Sequence, residues 1–169
     1  TKEVKLNSDF SIAHIGSLLS KRNPELLWKV LAELIEEVDG FAEVFKLKFI
    51  GAVSEDVLKL IDDNNLSDYV DKIGYVSLIE IDSEETKCII PGKLFEYMVS
   101  NRPIVSIGPK DSDVEKIIKE TNTGSYFYYE DSKLLKTAIL SYYKAFQDKT
   151  LKSHPIGLQK YHRRALTES

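Results

Sequence analysis

The sequence is poor in the residues that build disulfides and metal clusters, and it has no excess of positive charge. Its single cysteine, Cys88, excludes an intrachain disulfide and a cysteine-based metal cluster, and a reducing cytoplasm is the simplest compartment for such a chain. The formal net charge of −4 gives no overall basic surface, so no nucleic-acid partner is expected. The histidines show no metal-ligand spacing, so no metal site is expected either: they are His14, His154 and His162.

Long apolar runs, a secretory signal and an initiating methionine are also missing. No run approaches the length of a membrane-spanning helix. The hydrophobic fraction of 43% and charged fraction of 30% are typical of a soluble globular protein, and 169 residues can bury a sizeable core. We therefore expect a soluble domain, and we expect it to be a fragment of a longer chain.

The first part of the chain twice shows a strand, a glycine turn and a helix. Apolar residues alternate from Phe10 to Ile15, and Gly16 ends that strand. The same alternation runs from Phe45 to Phe49 and closes at Gly51. The residues expected to start and line the helices are Asn23 as N-cap, Pro24 and Glu25 in the first turn, then Leu27, Val30, Leu31, Leu34, Ile35 and Val38, with Ser54 capping the second helix.

Later segments continue the alternation of strands and helices. Strands are predicted over 104–107 and 125–129, and the turn 122–124 precedes the second of them. Ser112 and Glu115 form a candidate capping box for the intervening helix. A longer helix is predicted around 134–146 and a last helical segment over 155–165, packing on another surface.

Strands separated by helices predict one Rossmann-like α/β domain over 1–169. The expected fold is a doubly wound, mostly parallel sheet with helices on both faces and the C-terminal helix outside. Such sheets bind ligands at the carboxyl ends of their strands. The glycine turns at Gly16 and Gly92 both follow apolar runs, so we expect them to face one crevice.

Only one residue, Ser77, separates the strand-like runs 70–76 and 78–81. Two parallel strands cannot be connected by one residue. Either the runs form one bent element, or residues are missing from the chain near Ser77, and we expect the second.

The stretch around Gly92 predicts an anion site. Gly92 lets the backbone approach a ligand closely, and the first amides of the following helix, near Lys93 and Leu94, lack intrahelical acceptors. These amides and the Lys93 ammonium suit a phosphate. Glu96, one turn into the helix and off the stripe formed by Leu94 and Met98 (with Phe95 and Val99 beside it), suits sugar hydroxyls because an ionised carboxylate accepts hydrogen bonds.

The ordered series Pro91–Tyr97, Arg102–Val105 and Asn122–Gly124 resembles the carboxy-terminal half of retaining glycosyltransferases with two facing Rossmann-like domains (the GT-B type, family 4 and its relatives). The likeness extends from Phe10 to about Phe146. It implies that this half binds a nucleotide-sugar donor. Family members also carry a helix and a strand before the central loop, which agrees with residues missing near Ser77.

By position, the resemblance implies a role for each donor-site residue. Glu96 corresponds to the glutamate that holds the ribose hydroxyls, and Arg22 stands where a family lysine contacts the diphosphate. Tyr75 and Val76 correspond to the segment beside the base. Gly92, Lys93 and Leu94 correspond to the loop whose amides meet the diphosphate, and Gly16 opens the first loop.

The sequence departs from the family pattern at two positions. Ser17 stands where the family often has an arginine, and Cys88 stands where it often has a second glutamate that touches the donor sugar. Sugar selection and the strength of diphosphate binding are therefore not carried over from the family.

The resemblance implies sugar transfer, with retention and without a metal or other cofactor, to an acceptor held by an absent N-terminal domain. The isolated half would turn over little or nothing, and no catalytic residue is assigned. A role in bacterial cell-surface polysaccharide synthesis follows only from the family. Peripheral contact with the inner face of the membrane rests on Arg163 and Arg164, and two arginines on an acidic chain are a weak signal for it.

Two other functions stay open. A nucleotide-sugar epimerase of similar architecture needs an acid/base group in the crevice. A non-catalytic, flavodoxin-like nucleotide-binding module is the second alternative. A receiver domain lacks support because no acidic cluster follows the first strand, and a dinucleotide-dependent dehydrogenase because G-x-G-x-x-G is absent.

Overall fold

The computed structural model describes residues 8–20, 23–72, 79–80, 90 and 93–161. The chain divides into two compact units, Thr1–Ser77 and Leu78–Ser169. Within the described residues each unit contains one three-stranded sheet, and each sheet is parallel throughout.

The first unit is built on strands in the order β1-β2-β3. Strand β1 pairs with β2 along its whole length, with Phe10 opposite Phe45 and Ile15 opposite Ile50. Helices connect the strands, as parallel pairing requires. The elements are β1 (Phe10–Ile15), α1 (Glu25–Glu37), α2 (Phe41–Val44), β2 (Phe45–Ile50), α3 (Glu55–Asp63) and β3 (Val70–Lys72).

Aromatic side chains fill the core of this unit. Phe41 stacks on Phe45 with a centroid separation of 5.0 Å, and Phe10 meets Phe41 edge-on at 5.7 Å. The predicted strands β1 and β2 are confirmed, and the alternate residues Phe45, Leu47 and Phe49 of β2 are buried. The one-turn helix α2, which brings Phe41 to the core, was not predicted.

The start of α1 differs from the prediction. Pro24 occupies the N-cap position, and no side chain caps the helix. Asn23 instead accepts a hydrogen bond from the indole nitrogen of Trp28 at 2.7 Å. Its side-chain oxygen thereby serves the fully buried indole rather than a helix amide, and the N-cap prediction for Asn23 is wrong.

The second unit repeats the alternation with strands in the order β4-β5-β6. Helices α4 and α5 connect the strands, and α6 follows the sheet. The buried cluster of this unit consists of Leu94, Met98, Ile104, Val114, Ile117 and Ile118. The elements are β4 (Ile79–Glu80), α4 (Lys93–Met98), β5 (Ile104–Ile107), α5 (Asp113–Thr121), β6 (Gly124–Phe127) and α6 (Ser132–Gln147).

Each unit therefore has the parallel strand–helix alternation of one mononucleotide-binding half of a Rossmann-like fold. This confirms the predicted α/β class with parallel strands. Strands β3 and β4 belong to different sheets, so no pairing between them is required. The junction near Ser77 lies outside the described residues, and the expectation that residues are missing there stays a prediction.

The described end of the chain packs on the outside of the second unit. After α6 it extends to a 3-10 turn, Leu158–Tyr161, and both of these residues pack against the buried cluster. The predicted packing is confirmed, and helical structure is limited to this turn within the described part of the segment.

Candidate functional site

Helix α4 carries three of the predicted donor-site residues. It begins at Lys93, and Leu94 and Met98 are buried while Glu96 is exposed, as the sequence pattern predicts. Leu94 is fully buried, and its side chain belongs to the core cluster of the second unit. Val99 is predicted to lie beside the apolar stripe on the helix, and that prediction is wrong: it lies in the turn after α4 and is 58% exposed.

Glu96 makes its surroundings electronegative. Burial raises the pKa of the neighbouring Tyr97 hydroxyl well above its usual value, and the negative charge of Glu96 raises it further. Tyr97 packs against the buried cluster. Helix α4 therefore turns its aromatic and aliphatic side chains inward and leaves the Glu96 carboxylate in solvent. There the carboxylate oxygens can accept hydrogen bonds from a ligand.

Gly16 and Ser17 lie at the carboxyl end of β1. Gly16 has φ 121°, a backbone conformation that side-chain-bearing residues rarely adopt, and its amide donates to the carbonyl of Ile50 at 3.1 Å. Ser17 is exposed. The turn predicted at Gly16 is confirmed, and its backbone is fixed by the end of β2.

The loops after β1 and β2 are joined beyond Gly16 as well. The amide of Leu18 donates to the carbonyl of Ala52 at 2.8 Å, and the amide of Ser54 donates to the carbonyl of Leu18 at 3.0 Å. Leu18 is fully buried. Ser54 is the N-cap of α3 as predicted, but its hydroxyl does not cap the helix. Backbone hydrogen bonds thus join the loops at the carboxyl ends of β1 and β2.

Four predicted donor-site residues lie outside the described part of the chain: Arg22, Tyr75, Val76 and Gly92. The same is true of Cys88 and of the basic pair Arg163 and Arg164. The structure brings Lys93, Leu94 and Glu96 together on α4, and it places Gly16 and Ser17 together in the first unit. That the two glycine turns face one crevice stays a prediction.

A buried polar network at the carboxyl ends of β5 and β6 was not predicted as a whole. Its centre is Glu115, which is 5% exposed. One carboxylate oxygen of Glu115 accepts from Lys119 Nζ at 2.6 Å and from the Tyr128 hydroxyl at 2.7 Å. The other accepts from the backbone amide of Asp111 at 2.8 Å. Three donors on one carboxylate fix the loop between β5 and α5 against β6.

Ser112 and Tyr126 complete this network. Ser112 accepts from the amide of Glu115 at 3.0 Å, so this half of the predicted capping box is confirmed. The Ser112 hydroxyl donates to Tyr126, whose own hydroxyl donates to the carbonyl of Pro109, both at 2.9 Å. In the described contacts the Glu115 carboxylate accepts from the amide of Asp111, which is the residue before the N-cap Ser112.

The network shifts the titration of its members. Burial acts to raise the pKa of Glu115, but the hydrogen bonds from Lys119, Tyr128 and Asp111 outweigh it and hold that pKa below its usual value. The hydrogen bond to Glu115 raises the pKa of Tyr128 to about 12. Burial raises the pKa of Tyr126 to about 12. The serine-to-glutamate spacing signalled the helix cap, but no local pattern signals the tyrosine partners.

Within residues 8–161, apart from the stretches that the structure leaves undescribed, no group of three or more histidine, cysteine or acidic side chains is placed to hold a metal ion. Among the helices of the described residues, none is both long and apolar enough to cross a membrane.

No protein-family model matches this sequence, and no curated protein matches it. A solved structure does: a mutant of TarM from S. aureus, in complex with fondaparinux, alpha-GlcNAc-glycerol and UDP. The TM-score is 0.52 and the sequence identity 18%, over 100% of this chain and 35% of the TarM chain. This chain therefore spans about a third of the length of that relative, and the likeness shows a shared Rossmann-like α/β fold.

Proposed function

We propose that the chain is the donor-binding half of a glycosyltransferase of the two-domain, GT-B type. The observation that carries the proposal is helix α4, which buries Leu94 and Met98 and leaves Glu96 in solvent. This is the orientation that a ribose-binding carboxylate needs. The likeness to the TarM structure over the full length of this chain supports the proposal at the level of the fold.

The ligands in the TarM structure support the same chemistry. That structure contains UDP, a nucleoside diphosphate of the kind that the proposed donor site would bind. This chain covers 35% of that protein, so the acceptor is assigned to a part of the enzyme outside this sequence. Transfer with retention is part of the proposal, and so is low activity of this half alone.

Each donor-site residue has a proposed role. Glu96 accepts hydrogen bonds from the ribose hydroxyls. The Leu94 amide and Lys93 contact the diphosphate with Gly92, and Arg22 adds a second cation, since a guanidinium can grip two phosphate oxygens. Gly16 and Ser17 supply the first loop, and Tyr75 and Val76 lie beside the base. No metal or other cofactor is assigned: the basic side chains and amides neutralise the leaving diphosphate.

Partners and location follow from the same proposal. The protein takes a nucleotide-sugar donor and passes the sugar to a carbohydrate or lipid-linked acceptor. It works in the cytoplasm, with membrane contact assigned to the basic pair Arg163 and Arg164. The process that we assign to this chemistry is the synthesis of a bacterial cell-surface polysaccharide.

The proposal is tested by calorimetric titration of the chain with UDP, GDP and ADP, alongside NAD and acetyl phosphate. Saturable binding of one nucleoside diphosphate, tighter than that of NAD and of acetyl phosphate, is the expected result and identifies the base. A preference for NAD would indicate a dinucleotide-binding module instead. A preference for acetyl phosphate would indicate a response module, and either result would overturn the proposal.

A further inference from the structure

The last described segment of the chain holds the helix that carries Glu96. We define residues 151–161 as the C-terminal strap. We propose that Tyr161, at the end of the strap, is a positioning residue for Glu96: it fixes the rotation of α4 by stacking on Phe95. This inference rests on the donor-site role of Glu96 proposed above.

The strap is bonded to the turns that precede β5 and β6. The carbonyl of Leu151 accepts from the Arg102 guanidinium at 2.9 Å, and the amide of Ser153 donates to the carbonyl of Asn101 at 3.0 Å. These two contacts attach the strap to the turn between α4 and β5. That turn is therefore tied to a segment that is distant in sequence.

The strap is attached next to the turn between α5 and β6. The side-chain amide of Asn122 donates to the carbonyl of His154 at 3.1 Å, and the amide of Ile156 donates to the carbonyl of Thr121 at 2.9 Å. Both turns lie at the amino ends of their strands, whereas ligands of such sheets bind at the carboxyl ends. The strap thus runs along the edge remote from the expected ligand.

From that edge the strap reaches α4. The rings of Tyr161 and Phe95 stack with centroids 5.8 Å apart and planes 30° apart, and the Tyr161 hydroxyl donates to Glu120 at 3.3 Å. Leu158 packs against the same buried cluster as α4. Tyr161 therefore joins α4 to α5 across the outside of the unit.

Helix α4 needs such support because it is short. It has six residues, and isolated helices of that length are not stable in water, so tertiary packing decides its orientation. Leu94 and Met98 anchor its inner face, and Tyr161 covers Phe95. Phe95 precedes Glu96 and is offset from it by about 100° around the helix, so any roll of α4 that releases Phe95 also turns Glu96.

The test compares Tyr161→Ala, Tyr161→Phe and Ile139→Ala with the wild type. Ile139 is buried in α6, so its truncation lowers the stability of the same unit through a different helix. Each variant is titrated with UDP, GDP and ADP, and amide hydrogen exchange is measured for 93–98.

We expect Tyr161→Ala to weaken binding of the preferred diphosphate about two- to tenfold, the range that loss of an aromatic pair allows. Exchange in α4 should become faster. Tyr161→Phe keeps the stacked ring and should bind like the wild type. Ile139→Ala should leave both the affinity and the exchange of α4 unchanged, because it truncates a side chain of α6 and keeps both Tyr161 and Phe95.

Unchanged affinity or unchanged α4 exchange in Tyr161→Ala would overturn the positioning role. Equal weakening by Ile139→Ala would do so too, because general destabilisation would then account for the effect. If the wild type binds none of the three nucleotides, the donor-site proposal itself fails and the ligand-positioning role falls with it. The exchange data would still show whether Tyr161 holds α4, so the two failures are distinguishable.

Discussion

The backbone of Gly51 lies directly against that of Gly16. A Cβ atom on Gly51 would come within 2.1 Å of the Gly16 carbonyl oxygen, and Gly51 has φ 144°. No side chain fits at that distance, because the neighbouring atom belongs to the backbone and cannot turn away. Contact between these two glycines therefore sets the spacing of the loops that follow β1 and β2.

Gly51→Ala is expected to destabilise the first unit by more than the strain of a positive φ alone. That strain is about 1–2 kcal/mol for a residue with a side chain. The clash with Gly16 adds to it, because the Gly16 loop must move. Urea denaturation followed by the fluorescence of the single tryptophan, Trp28, measures the loss in the unit where the substitution lies.

Gly157→Ala is the matched control. Gly157 has φ 66°, but a Cβ atom there would meet nothing within 4 Å, so only the conformational strain applies. Urea denaturation followed by circular dichroism measures its loss of stability. A loss for Gly51→Ala no greater than that for Gly157→Ala would contradict the close packing of Gly51 on Gly16.

Glu115→Gln should lower the free energy of unfolding by about 2 kcal/mol at neutral pH, since it removes a charged acceptor from a buried network. The folded-state pKa of Glu115 lies below its ordinary value of 4.5. Its contribution is therefore fully present above 4.5 and is lost as the pH falls through the lower, folded-state pKa. The difference between wild type and variant should shrink in acid.

Asp113→Asn provides the comparison for Glu115→Gln. Asp113 pairs with Lys116 at 2.9 Å on the surface of the same helix, with side chains 36% and 62% exposed. Such a pair contributes little, so this substitution should cost under about 1 kcal/mol. Equal losses for the two variants, or a Glu115→Gln effect that does not change with pH, would refute the assigned role of Glu115.

Asn23→Ala should destabilise the first unit by about 1–3 kcal/mol because it leaves the buried indole N–H of Trp28 without its acceptor. Urea denaturation followed by far-ultraviolet circular dichroism measures the change. In a Trp28→Phe background the donor is absent, and the same Asn23→Ala substitution should cost much less. Equal costs in both backgrounds would show that Asn23 acts elsewhere.

Local periodicity predicted most of the longer strands and helices, but not the one-turn helix α2. Alternating Phe45, Leu47 and Phe49 gave β2, and the spacing of Leu94 and Met98 gave the inner face of α4. Both predictions hold because burial of one face decides the structure of a short segment. Val99 follows the same spacing but lies beyond the end of α4, and periodicity does not show where a helix stops.

Contacts between distant residues could not be predicted in this way. Asn23 is a residue type that favours the N-cap and stands at the right position, yet its side-chain oxygen accepts a hydrogen bond from the Trp28 indole, five residues away. The link from Glu115 to Tyr128 and the stacking of Tyr161 on Phe95 depend on how strands and helices assemble. A serine-to-glutamate spacing therefore signals a helix cap without showing what else the carboxylate binds.

The contact proposed between Glu96 and the ribose can be tested by a double-substitution cycle in protein and ligand. The affinity of the preferred nucleoside diphosphate and of its 2′,3′-dideoxy analogue is measured by calorimetry for the wild type and for Glu96→Gln. Glu130→Gln, at another exposed glutamate, is the control and should bind like the wild type.

Each single change, in the protein or in the ligand, should weaken binding about tenfold to a hundredfold, as expected for hydrogen bonds to a charged acceptor. The two changes together should cost little more than either one, because both remove the same interaction. Losses that simply add, or an affinity that Glu96→Gln leaves intact, would contradict the central claim that Glu96 holds the ribose of a nucleotide-sugar donor.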